Sequence, residues 1–202
     1  MESVATHFVF LHRYTKSLSV ALGYRDLLTQ HHSERVRGLS EAIGVQCGLT
    51  EQELDFLRLS ASFHDIGKIG IPDRILLKPA SLNADEWEVM KQHSGIGERI
   101  MLSTALDGAP QVALNIRHHH ERYGGFGYPD GLSGEEIPIC SRIISIADSY
   151  DAMAVTRSYH RVRKHPEIMG ILHDETGLKH DPELMRFFCE IIEDSEFKAA
   201  ES

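Results

Sequence analysis

Residues 50–68 read TEQELDFLRLSASFHDIGK, and this stretch sets the fold class. Thr50 followed three residues later by Glu53 is a capping-box pattern, in which each side chain satisfies an amide that the first turn of a helix leaves unbonded. Behind it Leu54, Leu57, Ala61 and His64 recur at steps of three and four, so the predicted helix has an apolar face that ends in an imidazole. Asp65 follows at once. A titratable group at the end of a core-facing stripe must be hydrogen-bonded or metal-bound, because burying it unpaired costs free energy.

The same period recurs outward from this segment. Val36, Leu39, Ile43 and Cys47 form a stripe that Gly48 ends, and Asn83 with Glu86 opens a helix carrying Met90, His93, Gly97 and Ile100. Pro110 suits the first turn of a helix in which Val112 and Ile116 lead to His119. Ile144, Asp148, Asp151 and Val155 share a face, and Asp181-Pro182 starts a last helix with Leu184, Phe187, Phe188 and Ile191 apolar. Phe8, Leu11, Thr15, Leu18 and Leu22 predict an amphipathic N-terminal helix that needs a partner surface, either this domain or a second copy of the chain. No segment alternates as a strand would. The expectation is an all-α bundle with this additional helix. Glycine- and proline-rich loops span 67–79 and 124–138, and the length and aromatic content of the second favour a functional role over a plain connection.

Composition narrows the function classes. A chain of 202 residues can bury a full core in one domain. Cys47, Cys140 and Cys189 form no C-x-x-C pair, which fits a reducing, cytoplasmic setting better than a disulfide framework. No apolar run approaches the roughly 18 residues of a membrane span. A net charge of −9 argues against duplex nucleic acid as a partner, which would need a basic face. It leaves room for a small anion, since bound cations reverse the local field.

Thirteen histidines are the unusual number, and their placement matters more than their count. One histidine on an apolar face is ordinarily a hydrogen-bonded core residue. Here His64, His93, His119 and Asp148 all fall on predicted core-facing stripes, a pattern by which helical bundles build metal sites. With Asp65 and His120 they make a nitrogen- and oxygen-rich set suited to Mn, Fe, Ni, Co or Zn rather than Mg or Ca. Asp65 has two oxygens and could bridge two ions. By contrast His7, His12, His31, His165, His173 and His180 have no partner pattern and read as surface groups, and His118 reads as a solvent-facing or supporting neighbour of His119. Lys68 and Arg157, taken alone, would be a solvated lysine and a surface salt-bridging arginine.

At these residues the chain resembles the HD-GYP phosphodiesterases, a branch of the HD superfamily. His64-Asp65-Ile66-Gly67-Lys68 is similar to the HD signature with its lysine, and His119-His120-Glu121-Arg122 followed by Gly127-Tyr128-Pro129-Asp130-Gly131 is similar to the signature that names the branch. The likeness runs from about His32 to Pro182. It implies an HD-domain catalytic unit over 28–202, preceded by a helix or linker over 1–27 that could lead from an upstream sensor or receiver domain or pair two chains as a homodimer. It also implies hydrolysis of a 3′,5′-phosphodiester bond of a bacterial cyclic dinucleotide, cyclic di-GMP first, to a linear product. The implied metal ligands are His32, His64, Asp65, His93, His119, His120 and Asp148. Asp65, Lys68 and Asp151 would be catalytic, and Lys68, Arg157, Tyr128 and His160 would meet the substrate.

Three departures from the family pattern refine this. Leu28 stands where three-metal members carry a glutamate, and leucine offers no donor, so two divalent ions are expected. His160 replaces a lysine that usually contacts phosphate. Tyr123-Gly124-Gly125-Phe126 replaces a segment that usually holds an aspartate and a small residue, which makes 3′3′-cyclic GMP-AMP an alternative substrate. A degenerate cyclic-dinucleotide-binding module and an HD hydrolase for another phosphoester are the remaining readings.

Overall fold

A computed structural model describes residues 16–17, 20–24, 27–155 and 163–200. Among them the chain is all-α, and no strand forms beyond an isolated bridge between Thr176 and His180. The long helices are α1 (Leu27–Gln46), α2 (Glu51–Phe63), α4 (Ala84–Leu102), α5 (Ala109–His118), α6 (Ile139–Ala154), α7 (His165–Asp174) and α8 (Pro182–Ile192), with a four-residue α3 (Asp73–Leu76) between α2 and α4. Both predicted capping boxes form: Thr50 and Glu53 satisfy each other's backbone at the start of α2, as do Asn83 and Glu86 at α4. Asp181 caps α8 by accepting from the amides of Glu183 and Leu184.

Two cores meet at α2. Leu54, Leu57 and Ala61 pack with Val36, Leu39 and Ile43 of α1, Ile143, Ile144 and Ala147 of α6, and Phe188 of α8. Leu59 and Phe63 face the other way, onto Met101 of α4 and Val112, Ala113 and Ile116 of α5. Leu39, Leu57 and Ile143 are completely buried, each contributing roughly 1.5–3 kcal/mol relative to exposure. The end of α2, where His64 and Asp65 sit, is therefore fixed from two sides.

Several expectations need adjustment. Helix α1 begins nine residues before Val36, because nothing between Leu27 and Val36 breaks a helix, and His32 joins the buried stripe one turn ahead of Val36. Helix α7 was not expected. Its N-cap is Lys164 rather than a short polar side chain, and among its ten residues only Ile168 and Leu172 are buried apolar side chains. The 67–79 loop holds a 3-10 turn (Ile66–Gly70) and α3, and the 124–138 loop holds a 3-10 turn (Gly134–Glu136). Of the N-terminal stripe, Leu22 is buried against Leu59 and Phe63, whereas Phe8, Leu11, Thr15 and Leu18 lie outside the described residues, and so does any pairing of chains through them. No described helix is long and apolar enough to cross a membrane.

Candidate metal centre

Three imidazoles are aimed by one backbone device. Nδ1 lies 2.8 Å from the Ala61 carbonyl in His64, 2.7 Å from Met90 in His93 and 2.6 Å from Ile116 in His119. A carbonyl can only accept, so each Nδ1 carries a proton and Nε2 is the nitrogen left to donate a lone pair. Ala61 and Ile116 lie in the last turns of α2 and α5, whose carbonyls have no partner in their own helix. Each helix end is thus satisfied by the ring it presents.

The free nitrogens converge on two adjacent groups. His32, His64 and Asp148 bring their donor atoms within 4.8 Å of one another, and His93, His119 and His120 do the same. Asp65 stands between them: Oδ2 is 3.4 Å from His64 Nε2, and Oδ1 is 3.6 Å from His93 Nε2. One oxygen faces each group. Nε2 of His64 is buried with no hydrogen-bond partner, the condition of a ligand atom awaiting a cation.

The charges suit the same role. Burial pushes the pKa of His93 down, and burial with the neighbouring rings pushes His119 to about 3 and His120 well below the ordinary value. These rings are neutral and can donate. Burial opposes ionisation of Asp65, but Lys68 and His64 outweigh it and hold the carboxyl well below its usual range. Asp148 is likewise held low against burial by its hydrogen bond with His32. Burial works against charge on His32, yet the hydrogen bonds to Asp148 and Asp151 prevail and raise it to about 9. Neutral His93, His119 and His120 on one side, His32, His64 and Asp148 on the other, and Asp65 between them make a buried nitrogen- and oxygen-rich set that fits divalent transition metals, and a cation there would take the place of the proton that the carboxylates favour on His32.

All seven expected ligands are brought together. Lys68 Nζ lies 2.6 Å from Asp65 Oδ2. Asp151, expected beside the attacking water, lies behind His32. One of its oxygens accepts from His32 Nδ1 at 2.7 Å, and Arg35 grips the carboxylate through Nε at 2.6 Å and Nη2 at 3.0 Å. Arg35, one turn after His32, lies on the same face, and nothing in the local sequence marks it as the partner of Asp151. Arg157 and His160 lie outside the described residues.

The loop after α5 is strapped to the centre. Glu121 accepts from the amides of Asp130 and Gly131 at 2.7 and 3.0 Å, while Arg117 makes a fork of two 2.7 Å bonds to Asp130. His118 is buried and reaches Asp130 at 2.8 Å, a supporting position rather than a solvent-facing one. The backbone at Gly127 passes so close to Glu121 that an added Cβ would lie 2.4 Å from its Cα. These contacts hold the Tyr128 ring 4.9 Å from His120, with Trp87 edge-on against its far side at 6.2 Å.

Two histidines assigned to the surface are buried. His165 bridges Tyr150 and Glu193 at 2.8 and 3.1 Å, and His180 sits under the α7–α8 turn, 3.3 Å from Glu175. His165 meets its partners only through the fold and His180 lies in a turn outside any helical period, so sequence spacing revealed neither. His31 and His173 are exposed as expected, and His7 and His12 lie outside the described residues.

Comparison with known proteins follows the same lines. The family described as HD domain matches residues 17–184. A cyclic di-GMP phosphodiesterase of Thermotoga maritima is 41% identical over 185 residues, covering 90% of this chain and 50% of that protein. The 3′3′-cGAMP-specific phosphodiesterase 2 of Vibrio cholerae is 37% identical over 86% of this chain and 33% of its own length. The chain therefore spans half or less of these curated relatives. Among solved structures, a cyclic GMP-AMP-specific phosphodiesterase of V. cholerae superposes with a TM-score of 0.64 at 21% identity, covering 82% of this chain and 44% of that one. The HD domain of the L. monocytogenes phosphodiesterase PgpH superposes at 0.62 and 18% identity, covering 86% and 93%. At these identities the likeness is one of fold.

Proposed function

Because this chain belongs to the HD-domain family, we propose that it is a metal-dependent phosphodiesterase that opens a cyclic dinucleotide at a 3′,5′-phosphodiester bond. Cyclic di-GMP is the first substrate, with 3′3′-cyclic GMP-AMP as the alternative that the relatives' names and the Gly124-Gly125-Phe126 departure support. The observation that carries the reading is Asp65, which turns one oxygen to each of two nitrogen-rich donor groups. That arrangement favours two ions, drawn from Fe, Mn, Ni, Co or Zn, and a reducing, cytoplasmic setting fits the three free cysteines.

Such ions, when bound, lower the pKa of the attacking water and stabilise charge on the phosphoryl oxygens. The protein's own part is positioning and charge. His32, His64 and Asp148 hold one side, His93, His119 and His120 the other, and Asp65 sets their separation. Lys68 keeps Asp65 ionised and puts a cation where the phosphate must arrive. Asp151 orients His32 and is a positioning residue. Tyr128 walls the substrate side, and Arg157 and His160 retain the phosphate-contacting roles that the HD-GYP resemblance implies. The leaving group is the 3′-oxygen, and no covalent link to the protein is needed.

The decisive assay incubates protein loaded separately with Mn, Fe or Ni with each dinucleotide and follows linear products by chromatography. Turnover of either supports the proposal, while absence of turnover with both under all three metals rejects it.

A further inference from the structure

A cavity of about 440 Å³ opens between α4 and the Tyr128–Pro129 turn, within the size range of small-molecule sites. Lys91, Gln92, Gly95 and Arg99 line its helical side. It adjoins the metal centre without belonging to it: Tyr128 forms one wall and lies 4.9 Å from the His120 ring, and Ser94, also in the wall, follows His93 in the chain.

The charges in this cavity are unequal in what they leave open. Lys91 is engaged, pairing with Glu88 at 2.7 Å and lying 5.8 Å from the Tyr128 ring centroid. Arg117, which borders Gly95 from outside the lining, is saturated by Asp130 and Glu98. Arg99 is exposed, and among the described residues its guanidinium makes no ion pair. Its Nη1 lies 3.8 Å from where a Cβ on Gly95 would stand, so the group overhangs a floor kept open by the missing side chain. A guanidinium presents its donors in a rigid fork that matches phosphate.

A cyclic dinucleotide carries two phosphates, and cleavage engages one of them at the metal centre. The geometry points to this cavity as the seat of the half that is not cut, with Arg99 binding its phosphate and Tyr128 forming the wall between it and the metal centre. The inference rests on the proposed function and adds a substrate-binding residue to it. Trp87, the sole tryptophan, braces Tyr128 and is a built-in reporter of occupancy.

The test uses metal-loaded protein, with Trp87 fluorescence titrated by the bis-phosphorothioate analogue of cyclic di-GMP and initial rates measured on cyclic di-GMP and on bis(4-nitrophenyl) phosphate, which has one phosphate. For Arg99→Glu the expected result is affinity weakened at least tenfold, with a loss of kcat/KM on the dinucleotide at least ten times the loss on the small diester. Arg99→Lys should recover part of the affinity. Turnover of cyclic di-GMP with affinity and KM within twofold of wild type in Arg99→Glu overturns the inference and leaves the proposed function standing. A wild type that cuts the small diester yet neither binds nor cuts a cyclic dinucleotide overturns both.

Discussion

Asp151 lies directly behind His32, accepting from Nδ1 at 2.7 Å while the opposite nitrogen of the same ring reaches Asp148 at 3.0 Å. The ring is held between a carboxylate that orients it and one that shares its side of the centre. Replacing Asp151 with alanine removes the orienting partner and leaves Arg35 unpaired. Metal affinity should fall roughly 10–100-fold, the usual effect of losing such a partner. Elemental analysis after dialysis against graded chelator measures this, and unchanged retention would refute the positioning role.

Asp65 serves both donor groups, so its loss should be felt by both. In Asp65→Ala, metal content should drop at both positions and kcat should fall by roughly a thousandfold or more, as for a group that acts as part of a unit. Single-turnover assays with parallel metal analysis provide the measurement. Full metal and full turnover in that variant would remove Asp65 from the centre.

Gly67 and Gly170 make a contrasting pair. A Cβ on Gly67 would stand 1.8 Å from the His93 carbonyl oxygen, a backbone atom that can move only with α4. Gly67→Ala should therefore destabilise by about 2–4 kcal/mol and reduce metal retention, because it separates Asp65 from His93. Gly170 lies within α7 with nothing within 4 Å of its added Cβ. Gly170→Ala should stabilise by about 0.5–1 kcal/mol through helix propensity. Urea unfolding of the two variants separates the cases, and equal effects would contradict the packing described.

Burial pushes the pKa of His180 down to about 3, with Lys179 adding to the effect. The unfolded chain then binds a proton near pH 6.5 that the folded chain refuses until about pH 3, so stability is complete above 6.5 and drains away as pH falls between the two values. One such group contributes a slope of up to about 1.4 kcal/mol per pH unit. His180→Leu in chelated protein should flatten the stability profile between pH 6.5 and 5 relative to wild type. Identical slopes would show that the ring is protonated or solvated in the fold.

Much of this architecture could be read from residue order. Thr50 with Glu53 and Asn83 with Glu86 located two helix starts because capping is local chemistry, and the steps to His64, His93 and His119 put each ring on its buried face. His120 joined the set as the neighbour of His119, and the HD-GYP resemblance supplied His32 where periodicity did not. What escaped was partnership across long separations. Asp148 and Asp151 lie three residues apart on one helix face; the resemblance named the first a ligand and the second catalytic, and the approach of α1 puts His32 between them. Arg35 and His165 escaped for the same reason, whereas His180, five residues from Glu175, escaped because it lies in a turn with no period to mark its burial.

The carbonyls of Ala61 and Ile116 that receive His64 and His119 have a further consequence. They belong to the final turns of α2 and α5, the turns that would fray first in isolated helices. A cation drawn by those rings would fasten both helix ends to each other, and an opening of either end would withdraw a ligand. Metal capture and local opening would then be the same equilibrium viewed from two sides. In amide hydrogen exchange, occupancy should slow the last turns of α2 and α5 together while leaving α7 and α8, remote in sequence from every donor, nearly as they were.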